Sequence, residues 1–398
     1  MKPLPLIVGL AILCASFSAW SGLDEALEAY DNEQYDEALQ GLLPLAMQGN
    51  REAQYHVGNM YNTGDGVPQN KLEALKWYRL AAAQGHAAAQ TKIALSYQFG
   101  TGVPEDIKEA ARWYRLAAEQ GHAFAQNMLG GLYEFGEGVP QNDLEAAKWY
   151  LMAARQNNVD AQSSLGDMYR TGKGVTQDYQ QALMWYQRAA TRGDSSALFN
   201  TGRLYHNGEG VTQNYQEAIK WYRLAADKGN AKAQYQLGWI YYFGQGVSAN
   251  DTEAFTWFRK AAERGHVDAA YYAGLMYHTG RGVTQDYRAA IKWYRQAAVR
   301  GVAYAQANLG KMYANGEGVP RNDVVAYALT NVATNRDTSA ANPVMHNRKL
   351  LVARMTVDEL RAGQKLAHEM LKPGELLLAL DAYLKRQRSA NGKTVKGR

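Results

Sequence analysis

The chain has 398 residues, 46% of them hydrophobic and 20% charged, with a formal net charge of +5 at neutral pH. A charge this mild gives no argument for nucleic acid as a partner. Its one cysteine, Cys14, cannot build a disulfide framework or a Cys-ligated metal site. Length alone would fit two or three globular domains, but a fixed internal period overrides that prior.

Residues 1–21 read as a signal peptide. Met1-Lys2 is followed by an apolar run from Leu4 to Phe17, and Ala19-Trp20-Ser21 fits a small-x-small cleavage site before Gly22. The run is too short for a transmembrane anchor, which needs about 18–20 apolar residues. No later stretch is apolar enough to span a bilayer. Leu13 before Cys14 disfavours a lipoprotein signal, so the mature chain is expected to carry no cysteine. Residues 22–50 are expected to form a helical hairpin, Leu23–Tyr30 and Tyr35–Met47, that acts as an N-terminal cap. This segment holds seven acids and no Lys or Arg.

From 51 to 338 one 36-residue unit recurs eight times without insertion, marked by Gly64-x-Gly66-Val67 through Gly316-x-Gly318-Val319. In the first unit Ala53, Val57, Met60 and Tyr61 form one helical stripe. Gly58 stands on the same helix A, where a tiny residue admits a close neighbour. Gly64 can take the left-handed conformation that ends a helix. Asn70 and its seven equivalents are all Asn or Asp, ready to cap a second helix, B. Six units place Glu or Gln three residues later, which predicts a capping box. Ala74, Trp77, Tyr78, Ala81 and Ala82 make the buried stripe of helix B, and Gly85 closes it. Each pair exposes an apolar face that only its neighbours can cover.

The pattern A-x-x-x-(L/x)-G-x-x-Y-x-x-G-x-G-V, the Asn/Asp cap and A-x-x-W-Y-x-x-A-A-x-x-G resemble the Sel1-like repeat family, a relative of tetratricopeptide repeats. The resemblance implies an all-α solenoid of eight helix-loop-helix repeats in a right-handed superhelix, and a scaffold or adaptor role in protein complexes. It implies no enzyme activity and no cofactor. The disulfides of some family members have no counterpart in this chain.

The eighth unit has Leu329 in place of the tryptophan and Asp337 in place of the closing glycine. Residues 335–341 read as loop. A C-terminal cap is expected over 339–388, with helices from Pro343, from Thr356 (capping box with Glu359) and from Leu376 to about Gln387. A disordered basic tail is expected at 389–398. Residues 339–398 carry twelve Lys/Arg against five acids. That charge is either a solvated cap face or a contact for an acidic partner or anionic lipid.

Eight recurrences argue against reading the glycine loops as a phosphate cradle, and the Trp-Tyr spacing is that of core. His86, His122 and His266 occupy one repeated turn position. No Ser/His/Asp set, His-x-x-x-His motif or localised carboxylate pair stands out, so neither catalytic nor metal residues are assigned. Specificity is expected where the repeats differ, on the exposed columns of helix A. Units five to seven place Phe199, Arg203, His206, Tyr235, Trp239, Tyr242, Tyr271, Leu275 and His278 there. Aromatics and Arg are the residues that anchor binding surfaces. The reading is an exported scaffold, periplasmic in a Gram-negative cell or secreted, that binds a protein or peptide in a concave groove. The alternative is an envelope polysaccharide factor whose aromatic wall stacks on sugars.

Overall fold

The computed structural model describes residues 22–335 and 343–395. The expected signal segment with Cys14, and nearly all of the 335–341 loop, lie outside them. Every regular element among the described residues is helical. Helices α1 (22–31) and α2 (Tyr35–Met47) precede eight pairs. These are α3 (Arg51–Thr63) with α4 (Lys71–Ala83), α5 (Ala87–Gln98) with α6 (Ile107–Glu119), α7 (Ala123–Phe135) with α8 (Asp143–Arg155), and α9 (Val159–Thr171) with α10 (Tyr179–Thr191). They continue with α11 (Ser195–Asn207) and α12 (Tyr215–Asp227), α13 (Ala231–Phe243) and α14 (Asp251–Glu263), α15 (Val267–Thr279) and α16 (Tyr287–Val299), and α17 (Ala303–Asn315) and α18 (Asp323–Ala333). Helices α19 (Pro343–Val352), α20 (Val357–Met370) and α21 (Leu376–Val395) close the chain. The helices fall into two compact units, one ending at Asp194 and the other starting at Ser195.

In the first unit, α1 and α2 bury Ala26, Ala38, Leu42 and Ala46 against Ala53, Val57 and Met60 of α3. In six of the eight pairs the contact that fixes spacing is glycine against an aromatic ring; Ala94 holds the glycine's place in the second pair, and Gly310 meets Thr330 in the eighth. A Cβ on Gly58 would stand 2.7 Å from the Tyr78 ring, and one on Gly166 2.6 Å from Tyr186. The second unit repeats this with Gly202 on Tyr222, Gly238 on Phe258 and Gly274 on Tyr294. Burying a ring of this kind contributes about 1.5–3 kcal/mol.

Successive pairs are joined by a buried hydrogen bond. Gln54 Nε2 donates to the Ala46 carbonyl at 3.0 Å, and Gln90, Gln126 and Gln162 do the same to Ala82, Ala118 and Ala154. Gln234 and Gln306 donate to Ala226 and Ala298 in the second unit. Each bond adds a second donor to a last-turn carbonyl that already accepts the N–H of the turn residue three positions on, as Ala82 does from Gly85 and Ala154 from Asn157.

The loop between A and B is held at both ends. Gly64 caps α3 at φ 93°. The Asn70 N–H donates to the Tyr61 carbonyl at 2.8 Å, and the same bond recurs in every unit to Asn322 and Tyr313. The Asn70 side chain meanwhile accepts from the Glu73 N–H at 3.1 Å. The expected capping boxes therefore do not close in the repeats. The Tyr61 carbonyl takes the cap N–H that Glu73 would need, and Glu73 turns outward to Lys76 at 2.7 Å. Among the described helices a complete box forms at Thr356 and Glu359 of α20.

The Trp-Tyr stripe also divides. Tyr78, Tyr114, Tyr150, Tyr186, Tyr222, Phe258 and Tyr294 are buried. Trp77, Trp113, Trp149, Trp221, Trp257 and Trp293 are only partly buried, while Trp185 is 4% exposed. Adjacent helical residues point about 100° apart, so one aims at the A helix and the other lies along the flank.

At the C-terminal end α18 is buried from Val324 through Thr330, instead of turning one face to water. A Cβ on Gly363 of α20 would stand 2.7 Å from the Tyr327 ring, so the glycine–aromatic contact is reproduced from the cap side. Helix α21 runs to Val395, past the expected end near Gln387. No Pro or Gly stands between Glu375 and Asn391, so nothing in the sequence stops the helix near Gln387, and most of the expected disordered tail is helical.

Tyr222→Ala is expected to cost about 3–5 kcal/mol through the cavity it leaves. Trp221→Ala should cost clearly less, and Gly202→Ala about 1–3 kcal/mol through overpacking. Urea midpoints of the three variants check this order; equal losses at 221 and 222 would contradict the division of the stripe.

Candidate functional site

Phe199, Arg203 and His206 lie on α11, Tyr235, Trp239 and Tyr242 on α13, and Tyr271, Leu275 and His278 on α15. All nine are partly buried. Their surroundings are set by the aromatic column of helix B, whose hydroxyls reach through to the A-helix side. In the first unit Tyr78 Oη donates to Asn59 at 2.8 Å, Tyr114 to Gln98 at 2.6 Å, Tyr150 to Glu134 at 2.8 Å and Tyr186 to Asp167 at 2.6 Å. These partners occupy the very columns expected to face a ligand. Much of their variation is thus different ways of satisfying one buried hydroxyl.

Eight of the nine residues separate into three groups, and Leu275 is a partly buried aliphatic side chain on α15. Phe199 and His206 pack on Tyr222, with ring centroids 5.7 and 6.0 Å away. Arg203 Nε, Arg203 Nη2 and His206 Nδ1 are shielded without a hydrogen-bond partner. His278 is committed elsewhere: Nε2 meets Glu317 at 2.9 Å and Nδ1 meets Tyr294 Oη at 3.3 Å.

The third group is the most extended. In the sixth pair the column residue is Phe258, which has no hydroxyl to satisfy, and Trp239 and Tyr242 occupy the partner columns. Tyr272 lies flat on Phe258 with centroids 4.9 Å apart. Around Tyr272 stand Trp239 at 5.3 Å, Tyr242 at 5.9 Å, Tyr235 at 6.4 Å and Tyr271 at 5.1 Å. Burial raises the Tyr272 hydroxyl pKa to about 12. Phe243, 52% exposed, stacks on Trp239 at 4.4 Å. Arg281 lies 3.8 Å over the Tyr242 ring and pairs with Asp251 at 2.7 Å. Tyr304, 65% exposed, extends the patch from Tyr271 at 6.1 Å.

Sequence reasoning missed Tyr272, Phe243, Arg281 and Tyr304. Its usable signal was the lone phenylalanine in a column of tyrosines. Among the described residues no group of His, Asp and Glu is arranged to hold a metal ion, and no helix is long and apolar enough to cross a membrane.

The Sel1 repeat family model matches residues 51–86, 87–122, 123–158, 159–194, 195–230, 231–266, 267–301 and 303–335. The chain belongs to the Sel1 repeat family. Its Sel1 repeats are similar to two solved structures above 30% identity. One is a protective antigen of uropathogenic Escherichia coli, 31% identical with a TM-score of 0.58, covering 94% of this chain and 87% of that one. The other is a Sel1 repeat protein from Oxalobacter formigenes, 32% identical with a TM-score of 0.60, covering 76% of this chain and 90% of that one. No curated protein matches the chain.

The repeated histidine has a structural role in these Sel1 repeats. His86, His122 and His266 are N-caps of A helices, with Nδ1 accepting from the N–H of Ala89, Ala125 and Ala269 at 3.1, 3.3 and 3.4 Å. Asn50, Asn158 and Asn230 do the same elsewhere. Burial lowers the pKa of His122 and His266. A proton on Nδ1 also abolishes the cap. The folded state therefore resists protonation that the unfolded chain accepts near pH 6.5, and stability falls as the pH drops below that value. The double variant His122→Asn, His266→Asn should be less acid-sensitive between pH 7 and 5, measured by thermal midpoint; an unchanged slope would exclude the caps as its source.

Proposed function

We propose that this Sel1 repeat chain is a non-enzymatic, exported scaffold that binds a protein or peptide partner on the A-helix face of repeats five to seven. The observation that carries this reading is the patch around Tyr272. Trp239, Tyr242, Phe243, Tyr271 and Tyr304 reach solvent beside one another in consecutive pairs, with Arg281 at the edge. Large amphipathic rings held by packing lose little entropy on binding, which suits them as anchors. In related repeats this face is concave, and a segment lying along it would meet several A helices at once. Nothing favours the glycan alternative. Trp239 lies against Phe243 and Tyr235 lies 4.3 Å from His266, stacked, so these faces are engaged with the protein's own rings.

Export rests on residues 1–21, whose basic start, apolar run and Ala19-Trp20-Ser21 fit a cleaved signal. A periplasmic or secreted location goes with that reading.

Two experiments test these points. A photo-crosslinking residue at position 243 should trap a discrete partner in the cell envelope, and one at Lys292 on a B helix should not. Trp239→Ala should lower the 243 adduct about tenfold or more while helicity is retained, as for an anchor worth at least about 1.4 kcal/mol. No adduct, or an adduct indifferent to Trp239, would remove the proposed face. For export, a phosphatase that folds only outside the cytoplasm, fused after residue 50, should be active with residues 1–21 present and inactive without them. Activity in both or in neither rejects the signal.

A further inference from the structure

A second site, on the B-helix turn of repeat six, arises from a side-chain rung that other repeats complete internally. The glutamine that ties six of the eight A helices to the preceding helix has its Nε2 committed to a backbone carbonyl. That carbonyl can only accept, so the orientation of the amide is fixed and Oε1 is left to be satisfied. In repeats one to three a second glutamine, at the C-cap of helix B, supplies the donor. Gln84 Nε2 donates to Gln54 Oε1 at 2.8 Å, Gln120 to Gln90 at 2.6 Å and Gln156 to Gln126 at 2.8 Å. The chain has thus built a receptor for a primary carboxamide three times over and filled it with its own side chain.

In repeats five and seven the C-cap residue is Lys228 or Arg300, and the inner residue is Leu198 or Ala270, so no acceptor remains. Repeat six keeps the acceptor and loses the donor. Gln234, 3% exposed, donates Nε2 to the Ala226 carbonyl at 3.1 Å, and its Oε1 is shielded without a hydrogen-bond partner. The C-cap residue there is Arg264. Its guanidinium lies over Gly229, where a Cβ would stand 2.5 Å from Nη1. Gln234 lines a cleft of about 420 Å³ with Ala226, Asp227, Trp257, Lys260, Glu263 and Arg264. Trp257 Nε1 in the same cleft is also shielded and unpartnered. Lys260, whose Nζ lies 4.4 Å over the Trp257 ring, and Arg264 are exposed walls that an entering group would displace. Leaving a buried acceptor unmade costs about 1–3 kcal/mol, so a ligand that completes it has a specific advantage. Gln162 with Arg192 shows the same substitution and the same unpartnered Oε1.

We propose that the Gln234 cleft binds a primary carboxamide from outside the fold, the side chain of a Gln or Asn in a partner segment. Its NH₂ donates to Gln234 Oε1, as Gln84 does to Gln54, and its carbonyl accepts from Trp257 Nε1 or Arg264. The site is separate from the A-helix face and does not depend on it.

The test uses the full chain labelled at the indole nitrogens, with the Trp257 signal assigned through Trp257→Phe. N-acetylglutamine methylamide should shift that signal saturably. N-acetylglutamate methylamide and N-acetylalanine methylamide, which carry the same backbone amides without the carboxamide, should not. Arg264→Gln rebuilds the internal rung and should weaken binding at least tenfold without lowering the thermal midpoint. Gln234→Leu, which copies the leucine that repeat five holds at Leu198, removes the acceptor and should do the same. The proposal fails if the glutamine probe gives no saturable shift, if the alanine probe matches it, or if either variant binds as the native chain does.

Discussion

The structure depends on one steric fit, a helix-A glycine against the aromatic ring of its helix-B partner. With no Cβ at Gly58 the Tyr78 ring can lie on the backbone of α3, and Gly166, Gly202, Gly238 and Gly274 repeat the arrangement. That contact sets how close the two helices come and which flank of helix B turns inward. It also sends the tyrosine hydroxyl through to the opposite side of helix A. There the hydroxyl must find a partner, and the A-helix face is composed around that demand. The cap helix α20 uses the same device, with Gly363 on Tyr327. This explains how an atypical last repeat is sealed.

The hydroxyl explains why the candidate binding face is found where it is. Where the column residue is tyrosine, Asn59, Gln98, Glu134 and Asp167 are occupied by it. Phe258 releases that obligation in one repeat, and the neighbouring columns there hold Trp239 and Tyr242, with Tyr272 stacked on the phenylalanine. An apolar floor permits an aromatic patch, and a polar floor calls for polar residues. The glutamine rung obeys the same logic at the other end of helix B. Leu198 and Ala270 appear where the donor is gone, whereas Gln234 keeps an acceptor that the fold does not use. The aromatic patch and the Gln234 cleft both involve repeat six, whose A and B helices belong to the same unit, while Gln162 of repeat four departs from the rung in the same way.

Much of this was legible in the chain. The 36-residue period, the Asn/Asp caps and the left-handed glycines are local signals, and each determines a helix end within a few residues. The nine wall residues were placed on the correct helices by counting alone. Their neighbours were not legible, because Tyr272 joins them through Phe258, a residue of a different helix. The capping boxes were misread for a similar reason. The N–H that Glu73 would have capped is taken by Tyr61, nine positions back across the loop, and no i to i+3 rule contains that bond.

By itself the sequence determined the helix pairs, their boundaries, their number and the family, because periodicity, capping and left-handed turns act over a few residues. Tertiary structure alone decided which of Trp77 and Tyr78 is core, which variable columns are already engaged, and which buried amide is left with an unused acceptor. Each of those choices depends on what a side chain meets on another helix, and the distance along the chain does not encode it.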